Sequence, residues 1–468
     1  MTSSTVGHEP AHPAKSAPPA MSTEPADSGG GLLSPALRAT TIGVIALVSL
    51  HAFEAMALTT VMPTIARELD GAALYAMAFT ATLAAGIVSI VWSGNLADRR
   101  GPRPPLLIGL VLFAIGLVGA GLSPTMEVLV GARVVQGLGA GMTSTAFYVL
   151  VTRVYPVRLH TAILAGFSAA WVVPSIVGPF VAGLIAQTIG WRWVFGLAVI
   201  VLVVAAVLLG RIVTGLRQEL VDVPWRRRSI AASVLLAVAV LALNAVADRL
   251  DAVGVALALA TLVVVCLTLL PLTPRGTLRA ARGLPTDVLL RALAFAAFSG
   301  AEVYLPRLLT ERDGLSPSLA GIALTITGVT WFAGSWVQGR WDRRFEIGRT
   351  ASVSLAAITL TLAGLAVAVA VGAPTWVVIA IFPVLGLGIG TLYPRVTAQA
   401  LGRAGSTEQG FVSSALQIGD SSGAATAIAL SAIVFTAAGA AVPNAYVAVF
   451  AVMALPALAG WLVAHRLP

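Results

Sequence analysis

Residues 74–122, LYAMAFTATLAAGIVSIVWSGNLADRRGPRPPLLIGLVLFAIGLVGAGL, hold two apolar runs on either side of a short basic loop. Each run has about 20 residues, which is enough for a helix to cross about 30 Å of hydrocarbon. The runs are continuously apolar and do not alternate, which excludes strands of a membrane barrel. Since a backbone in lipid must satisfy its own hydrogen bonds, this stretch predicts two membrane-spanning helices joined by a tight loop.

Similar apolar runs recur along the rest of the chain. The 468 residues are 58% hydrophobic and only 10% charged, with a mean hydropathy of +0.92, whereas a soluble protein carries about 25% charged residues. We predict fourteen spans, of which the pair between 230 and 271 is the weakest. The predicted spans are 39–62, 74–97, 105–122, 126–150, 160–187, 192–214, 230–247, 252–271, 288–310, 316–338, 350–371, 375–399, 408–437 and 443–465.

The arginines fall mainly on every second connection between these runs. We call that side of the molecule the arginine-rich end and the other the arginine-poor end. The arginine-rich connections hold Arg99, Arg100, Arg103, Arg153, Arg158, Arg217, Arg226, Arg227, Arg228, Arg275, Arg279, Arg282, Arg340, Arg343, Arg344, Arg349 and Arg403, and the others only Arg67, Arg192, Arg249 and Arg312. Basic connections stay in the cytoplasm, so we expect a multi-pass protein of the cell membrane with both termini cytoplasmic. This topology accounts for the net charge of +9 without nucleic-acid binding.

The chain also repeats itself at an offset of about 245 residues. The glycine pattern of residues 137–141 reappears at 386–390, the loop sequence of 94–100 is echoed at 339–344, and Glu54 corresponds to Glu302. The repeat predicts a first six-helix bundle at 38–215 and a second at 288–468, with a linker and an inserted two-helix hairpin at 216–287. Residues 1–37 are rich in Pro, Ser, Ala and Gly, and we expect a disordered cytoplasmic tail.

Three motifs carry a resemblance to a known family. Residues 94–103, GNLADRRGPR, resemble the loop signature Gly-x-Leu-Ala-Asp-Arg-x-Gly-Arg-Lys of the major facilitator superfamily, with Pro102 at a position that is usually basic. Residues 133–137 resemble that family's motif in span four. Residues 174–183 are similar to the span-five motif of its fourteen-helix drug:proton antiporters, with Pro174 in place of a glycine.

The resemblance implies an all-α integral membrane fold of two pseudo-symmetric six-helix bundles plus an inserted hairpin. It also implies transport by alternating access, in which the two bundles rock about a site near the bilayer midplane.

The loop after the second span is a candidate cytoplasmic gate. Its residues are Gly94, Asp98, Arg99, Gly101 and Arg103, with Asp342 and Arg343 at the repeated position. The glycines permit a tight turn, Asp98 suits a neighbouring helix N-terminus, and the arginines suit acids on adjacent helix ends. The alternative is that the arginines only set the topology.

The span-five motif contributes Pro174, Gly178, Pro179 and Gly183. Glycines allow two helices to approach closely, and proline removes a backbone hydrogen bond and bends the helix. We expect this segment to lie where the two bundles meet. The alternative is a packing seam without a coupling role; the link to antiport comes from the family resemblance.

Charged groups inside spans are the candidate proton-coupling residues, because a charge in lipid is costly unless it faces a cavity or a partner. They are Glu54, Arg133, Glu302 and Asp420. Arg133 is expected to counter a carboxylate when the two approach. Each acid has the alternative interpretation of a polar group that never titrates.

Phe53, Trp171, Tyr304 and Gln417 are candidates for a substrate cavity, although for any one aromatic ring a position facing lipid or the membrane interface is the favoured alternative. The sequence holds no phosphate-binding loop, no metal-ligand spacing and no nucleophile elbow. We therefore expect a monomeric protein without cofactor or metal, driven by a proton gradient, with sodium as the alternative ion.

The predicted function is proton-coupled export of small lipophilic compounds, with the lipid bilayer, protons and a small-molecule substrate as partners. The alternatives are import of a nutrient or metabolite and export of a lipid on the same fold. A membrane-embedded enzyme or a receptor is a further alternative, and it lacks the polar cluster that catalysis requires.

Overall fold

The computed structural model describes residues 31–215, 224–247, 249, 251–341, 346–403, 409–439 and 442–467, and within these ranges the chain is helical. The helices of the first bundle are α1 (Arg38–Glu68), α2 (Tyr75–Arg100), α3 (Arg103–Gly121), α4 (Met126–Val154), α5 (Val157–Thr188) and α6 (Arg192–Gly215). A hairpin follows, formed by α7 (Arg227–Ala245) and α8 (Ala252–Leu269). The second bundle contains α9 (Leu284–Glu302), α10 (Leu305–Glu311), α11 (Pro317–Trp341), α12 (Ile347–Ala370), α13 (Thr375–Ile381), α14 (Pro383–Arg403), α15 (Gln409–Ala437) and α16 (Val442–Ala464).

Fourteen segments of the described chain are long and apolar enough to cross a membrane, as predicted. The weak pair between 230 and 271 is among them, as α7 and α8. Residues 1–30 of the predicted tail and 216–223 of the predicted linker lie outside the described residues.

Two of the spans are broken helices. The predicted span 288–310 is divided into α9 and α10 at residues 303–304, and the predicted span 375–399 is divided into α13 and α14 at Phe382. Proline causes both breaks, because it has no N–H to continue the helical hydrogen bonds: Pro306 lies in the first turn of α10 and Pro383 begins α14. The break at residue 303 frees backbone carbonyl groups near the arginine-poor end.

The repeated glycines pack in the same way in both bundles. In α4, a Cβ added at Gly137 would lie 2.2 Å from the carbonyl oxygen of Thr82 on α2, and one at Gly139 would overlap α3. In α14, a Cβ at Gly390 would lie 2.1 Å from the carbonyl oxygen of Trp331 on α11, and one at Gly388 would overlap α12. Since α2, α3 and α4 correspond to α11, α12 and α14, the structure confirms two pseudo-symmetric bundles.

The hairpin lies against the seam between the bundles. An apolar cluster joins α7 to α2 and α15 through Leu236, Val240, Ile87 and Ile418. Buried Asn244 of α7 donates to Thr80 of α2 over 3.0 Å. In contrast, α8 is mostly exposed, as expected for a helix whose outer surface is covered by lipid. The hairpin therefore covers the α2–α15 seam and leaves the other seam, between α5 and α11, uncovered by α7 and α8.

Candidate functional site

A buried ion pair joins α1 and α4 in the first bundle. Glu54 is 9% exposed and Arg133 is 3% exposed, and the Arg133 guanidinium donates to the Glu54 carboxylate. Arg133 also donates to Gln136 over 2.7 Å and to the carbonyl oxygen of Ala78 over 3.3 Å. The sequence analysis expected Arg133 to counter a carboxylate, and the fold brings it into contact with Glu54.

This arrangement has a clear energetic consequence. A buried ion pair is tolerated because each charge compensates the other, and removal of one partner leaves an uncompensated charge in an apolar place. Loss of either charge therefore changes the forces between α1 and α4.

A second buried ion pair lies in the other bundle, between Arg291 of α9 and Asp420 of α15. The Arg291 guanidinium donates to Asp420 over 2.6 Å and 3.1 Å, to the hydroxyl of Tyr393 over 2.7 Å and to Thr397 over 2.7 Å. The Tyr393 hydroxyl in turn donates to Asp420, and the Tyr393 ring lies 3.9 Å from the guanidinium carbon. Asp420 is 7% exposed, so its charge is satisfied almost wholly by these side chains.

The sequence analysis missed Arg291 as the partner of Asp420. Arg291 lies three residues inside the predicted span 288–310. An arginine so close to the end of a span is usually one whose side chain extends to the membrane surface. The structure begins α9 at Leu284, so Arg291 lies two turns inside the helix. A charge within an apolar run was the one available signal, and it does not identify a partner 129 residues away.

Glu302 lies on the same face of α9 as Arg291. Residues 291, 295, 298 and 302 recur at helical spacing, and the rings of Phe295 and Phe298 lie 5.8 Å from Tyr393 and 5.1 Å from Trp331. Gly300 faces the opposite way, where an added Cβ would overlap Met453 of α16. Glu302 therefore points toward α11 and α14, on the side of α9 that carries the Arg291–Asp420 pair.

Glu302 differs from the other two acids because it has no ionic or hydrogen-bonding partner among the described residues. It is 7% exposed. The repeat explains the difference: the offset of 249 that relates Gly137 to Gly386 also relates Arg133 to Phe382. An apolar side chain therefore stands where the first bundle has its arginine.

The four candidate cavity residues do not lie together. Phe53 lines a small cavity between α1 and α6 and lies near Gly178. Trp171 is 44% exposed on α5. Tyr304 is buried among aromatic rings near the arginine-poor end. Gln417, one turn from Asp420, accepts a hydrogen bond of 2.8 Å from Ser144 of α4. The structure thus places Tyr304 and Gln417 in contacts between or near the two bundles, and their role in a substrate cavity stays a prediction.

The span-five motif lies largely at the seam between α5 and α11. A Cβ at Gly183 would lie 2.7 Å from the Cα atom of Ser318, and one at Gly321 would lie 2.5 Å from the carbonyl oxygen of Pro179. Gly178, in contrast, faces Phe53 of α1 within its own bundle. Pro174 and Pro179 are both inside α5. The motif therefore holds two helices of different bundles in close contact near the arginine-poor end.

A cation–aromatic cluster closes the same end. The hydroxyl of Tyr75 on α2 donates to the carbonyl oxygen of Val303 over 2.8 Å, at the break between α9 and α10. The Arg307 guanidinium lies 5.1 Å from the Tyr75 ring and 4.4 Å from the Phe435 ring. Arg307 also donates to Glu311 over 2.9 Å. The two contacts of Tyr75 tie the first bundle to the second at the arginine-poor end.

The gate loop at the arginine-rich end contacts α6 and Trp225. Arg103 donates to the carbonyl oxygen of Thr214 at the end of α6 over 3.4 Å, and it has no acid partner among the described residues. Arg99 lies over the ring of Trp225 at 5.3 Å. Asp98 is exposed, and no helix N-terminus among the described residues binds it. The roles expected of Asp98 and Arg103 in a cytoplasmic gate stay predictions; in the structure α6 and Trp225 lie beside the loop.

The two glycines of the gate prediction lie in the described structure, whereas its two residues at the repeated position do not. Gly101 ends α2 with φ of 75°, a conformation that favours glycine. Gly94 has open space around it. Asp342 and Arg343 lie outside the described residues. In the described ranges, no group of three or more acids, histidines or cysteines is arranged to hold a metal ion.

Comparison with known proteins gives a family and several relatives. Residues 44–428 match the sequence profile described as Major Facilitator Superfamily. An uncharacterized MFS-type transporter of Mycobacterium tuberculosis is 35% identical over 155 residues, which cover 33% of this chain and 27% of that protein. The multidrug efflux pump SdrM of Staphylococcus aureus is 28% identical over 169 residues, which cover 36% of this chain and 38% of that protein. The matched stretches thus span only about a third of these curated relatives.

Solved structures are similar over most of the chain. The crystal structure of a D-xylose-proton symporter superposes with a TM-score of 0.66, at 17% sequence identity, over 92% of this chain and 98% of that chain. At this identity the likeness concerns the fold alone.

Proposed function

Because the chain belongs to the major facilitator superfamily and has fourteen helices able to span a membrane, we propose that it is a proton-coupled exporter of small lipophilic compounds. The observation that carries this proposal is the buried ion pair of Glu54 and Arg133 between α1 and α4. The name of the Staphylococcus aureus relative, a multidrug efflux pump, supports export. In this function the chain acts as a monomer in the cell membrane and is driven by the proton gradient without a cofactor.

The arginine-rich end faces the cytoplasm in this proposal, since basic connections are retained there. The contacts of Tyr75 with Val303 and of Gly183 with Ser318 then close the outer side. In the described conformation the substrate would enter from the cytoplasm or the inner leaflet. Opening toward the outside requires the two bundles to separate at these contacts.

Protonation supplies the switch. A proton from the outside neutralises Glu54, which weakens its attraction to Arg133 and changes the balance between the two conformations. Release of that proton to the cytoplasm restores the pair. The Arg291–Asp420 pair and the unpaired Glu302 contribute further groups on the path, Glu302 being close to the contact that closes the outer side.

The test is transport by purified protein in proteoliposomes with an imposed pH gradient. Glu54→Gln should lower proton-driven export by at least about tenfold, which corresponds to about 1.4 kcal/mol. It should leave exchange of labelled for unlabelled substrate in place, because substrate binding does not need the charge. Glu68→Gln is the control, since Glu68 lies at the end of the same helix, where it accepts a hydrogen bond from Trp191. Full proton-driven export by Glu54→Gln would sink the assignment of Glu54.

The same vesicles test direction and ion. Movement of the substrate in the same direction as the protons, instead of the opposite direction, would indicate an importer. A response to a sodium gradient alone would exclude proton coupling. Chemical conversion of the substrate would favour the membrane-embedded enzyme.

A further inference from the structure

An open groove of about 470 Å³ lies at the arginine-rich end, apart from both ion pairs. It is formed by the segment after α8, the start of α9 and the start of α15, and its lining includes Leu270, Pro271, Arg275, Leu284 and Phe411. Nothing in the transport function described above uses it.

One wall of the groove is apolar and exposed. Leu270 is 52% exposed and Phe411 is 45% exposed, and Leu270 directly follows α8, whose surface is mostly uncovered by protein. In a membrane this position is the boundary between hydrocarbon and headgroups, since α8 ends there. An acyl chain can therefore continue from the bilayer into the groove without crossing a polar surface.

Arg275 lines the groove and belongs to a basic connection. Arg275, Arg279 and Arg282 are exposed on the connection between α8 and α9, and none of them has an acid partner among the described residues. Two further arginines border this connection: Arg403 lies 3.5 Å from Asp287, and Arg466 donates to the carbonyl oxygens of residues 279 and 280. The connection thus carries an unneutralised positive charge beside an apolar groove.

We propose that this groove binds an anionic phospholipid, with the phosphate on Arg275 and an acyl chain along Leu270 and Phe411. A guanidinium group binds phosphate oxygens through paired, charge-assisted hydrogen bonds, and basic pockets at the cytoplasmic side of membrane helices attract anionic headgroups. The apolar wall excludes free phosphate as the natural occupant, because a free anion would leave Leu270 and Phe411 uncovered.

The bound lipid would stabilise the helices that carry the second ion pair. Leu284 and Phe411 are the groove residues of α9 and α15, and Arg291 and Asp420 lie about two turns further along the same helices. Val288, Val412 and Leu416 pack together between the groove and the ion pair. A lipid wedged at the ends of α9 and α15 therefore fixes the spacing of these helices.

Thermal unfolding of the purified full chain in detergent tests the proposal without any transport. Added phosphatidylglycerol should raise the midpoint by several degrees, and phosphatidylcholine and inorganic phosphate should not. Arg275→Gln should lose at least half of this shift. The matched control is Arg228→Gln, which removes one exposed arginine from the same end of the molecule but outside the groove. Equal shifts from both phospholipids, an equal shift from inorganic phosphate, or a full shift in Arg275→Gln would overturn the proposal.

A second measurement places the acyl chain. Phe411→Trp introduces a fluorophore at the groove. The emission of this tryptophan is obtained by subtracting the emission of the parent chain from that of the variant. Phosphatidylglycerol with brominated acyl chains should quench this added emission more strongly than brominated phosphatidylcholine at the same concentration. Equal quenching by the two lipids would indicate ordinary contact with the bilayer and would contradict a specific site.

Discussion

The two bundles have the same backbone packing but place their buried charges differently. In the first bundle the acid lies on α1 and the arginine on α4, as Glu54 and Arg133. In the second bundle the arginine lies on α9 and the acid on α15, as Arg291 and Asp420. By the repeat, α9 corresponds to α1, so the acid-bearing helix of one bundle corresponds to the arginine-bearing helix of the other.

The positions also differ within the repeat. The offset of 248 that relates Glu54 to Glu302 relates Gly43 to Arg291. Gly43 packs against Leu209 of α6, where an added Cβ would lie 2.8 Å from the Cγ atom of Leu209. The duplication has therefore kept the glycines that set helix spacing, while each bundle has its own charge pair. Backbone packing depends on many weak contacts along a helix, whereas a charge pair depends on two residues and is replaced by two substitutions.

The largest effect that tests this comparison is expected from Arg291→Ala. It leaves Asp420 charged and buried without its cation, which should lower the free energy of unfolding by about 3–5 kcal/mol. The measurement is unfolding of the purified protein in mixed micelles. The double variant Arg291→Ala/Asp420→Ala should recover much of the loss, because it removes the uncompensated charge. If single and double variants unfold alike, the pair is not what holds α9 and α15 together.

An intermediate effect is expected from Tyr393→Phe, which probes a part of the second pair that the first bundle lacks. The ring and its contact with Arg291 remain, but Asp420 loses a hydroxyl donor. A hydrogen bond to a charged group contributes about 1.5–3 kcal/mol, and unfolding should shift by that amount. Tyr304→Phe is the control, since the Tyr304 hydroxyl has no hydrogen-bond partner among the described residues. Equal shifts for the two variants would contradict a role for the Tyr393 hydroxyl.

The smallest effect is expected from Glu302→Gln. Glu302 has no partner to lose, so the free energy of unfolding should change by less than about 1 kcal/mol. Glu54→Gln is the same substitution at the repeat-equivalent acid and should cost more, because it leaves Arg133 without its carboxylate. Comparison of the two unfolding curves measures the difference directly. A loss of stability in Glu302→Gln as large as in Glu54→Gln would show that Glu302 has a partner after all.

Much of the fold was predictable because it depends on local properties of the chain. The apolar runs gave fourteen spans, including the weak pair that became α7 and α8, since hydrophobic length is read directly from sequence. The glycines at 137–141 and 386–390 predicted the repeat, and their close contacts have the same geometry in both bundles. The breaks at residues 303 and 382 were missed, although Pro306 and Pro383 were the available signals.

The candidate site was predictable only in its single members. Glu54, Arg133, Glu302 and Asp420 stood out because a charge inside an apolar run is rare. The partner of Asp420 did not, and Arg291 was missed because the predicted span began too late. The contacts of the gate loop, such as that of Arg103 with Thr214, depend on how α6 packs beside the loop.

The sequence by itself thus determined that the chain is a duplicated bundle of membrane helices, since hydrophobicity and glycine spacing act within each helix or between neighbours in the chain. Only the tertiary structure decided that Glu54 meets Arg133, that Asp420 meets Arg291, and that Glu302 meets neither arginine. The physical reason is rotation and depth: an ion pair requires two side chains to face each other at the same level, and both properties depend on how helices far apart in sequence pack.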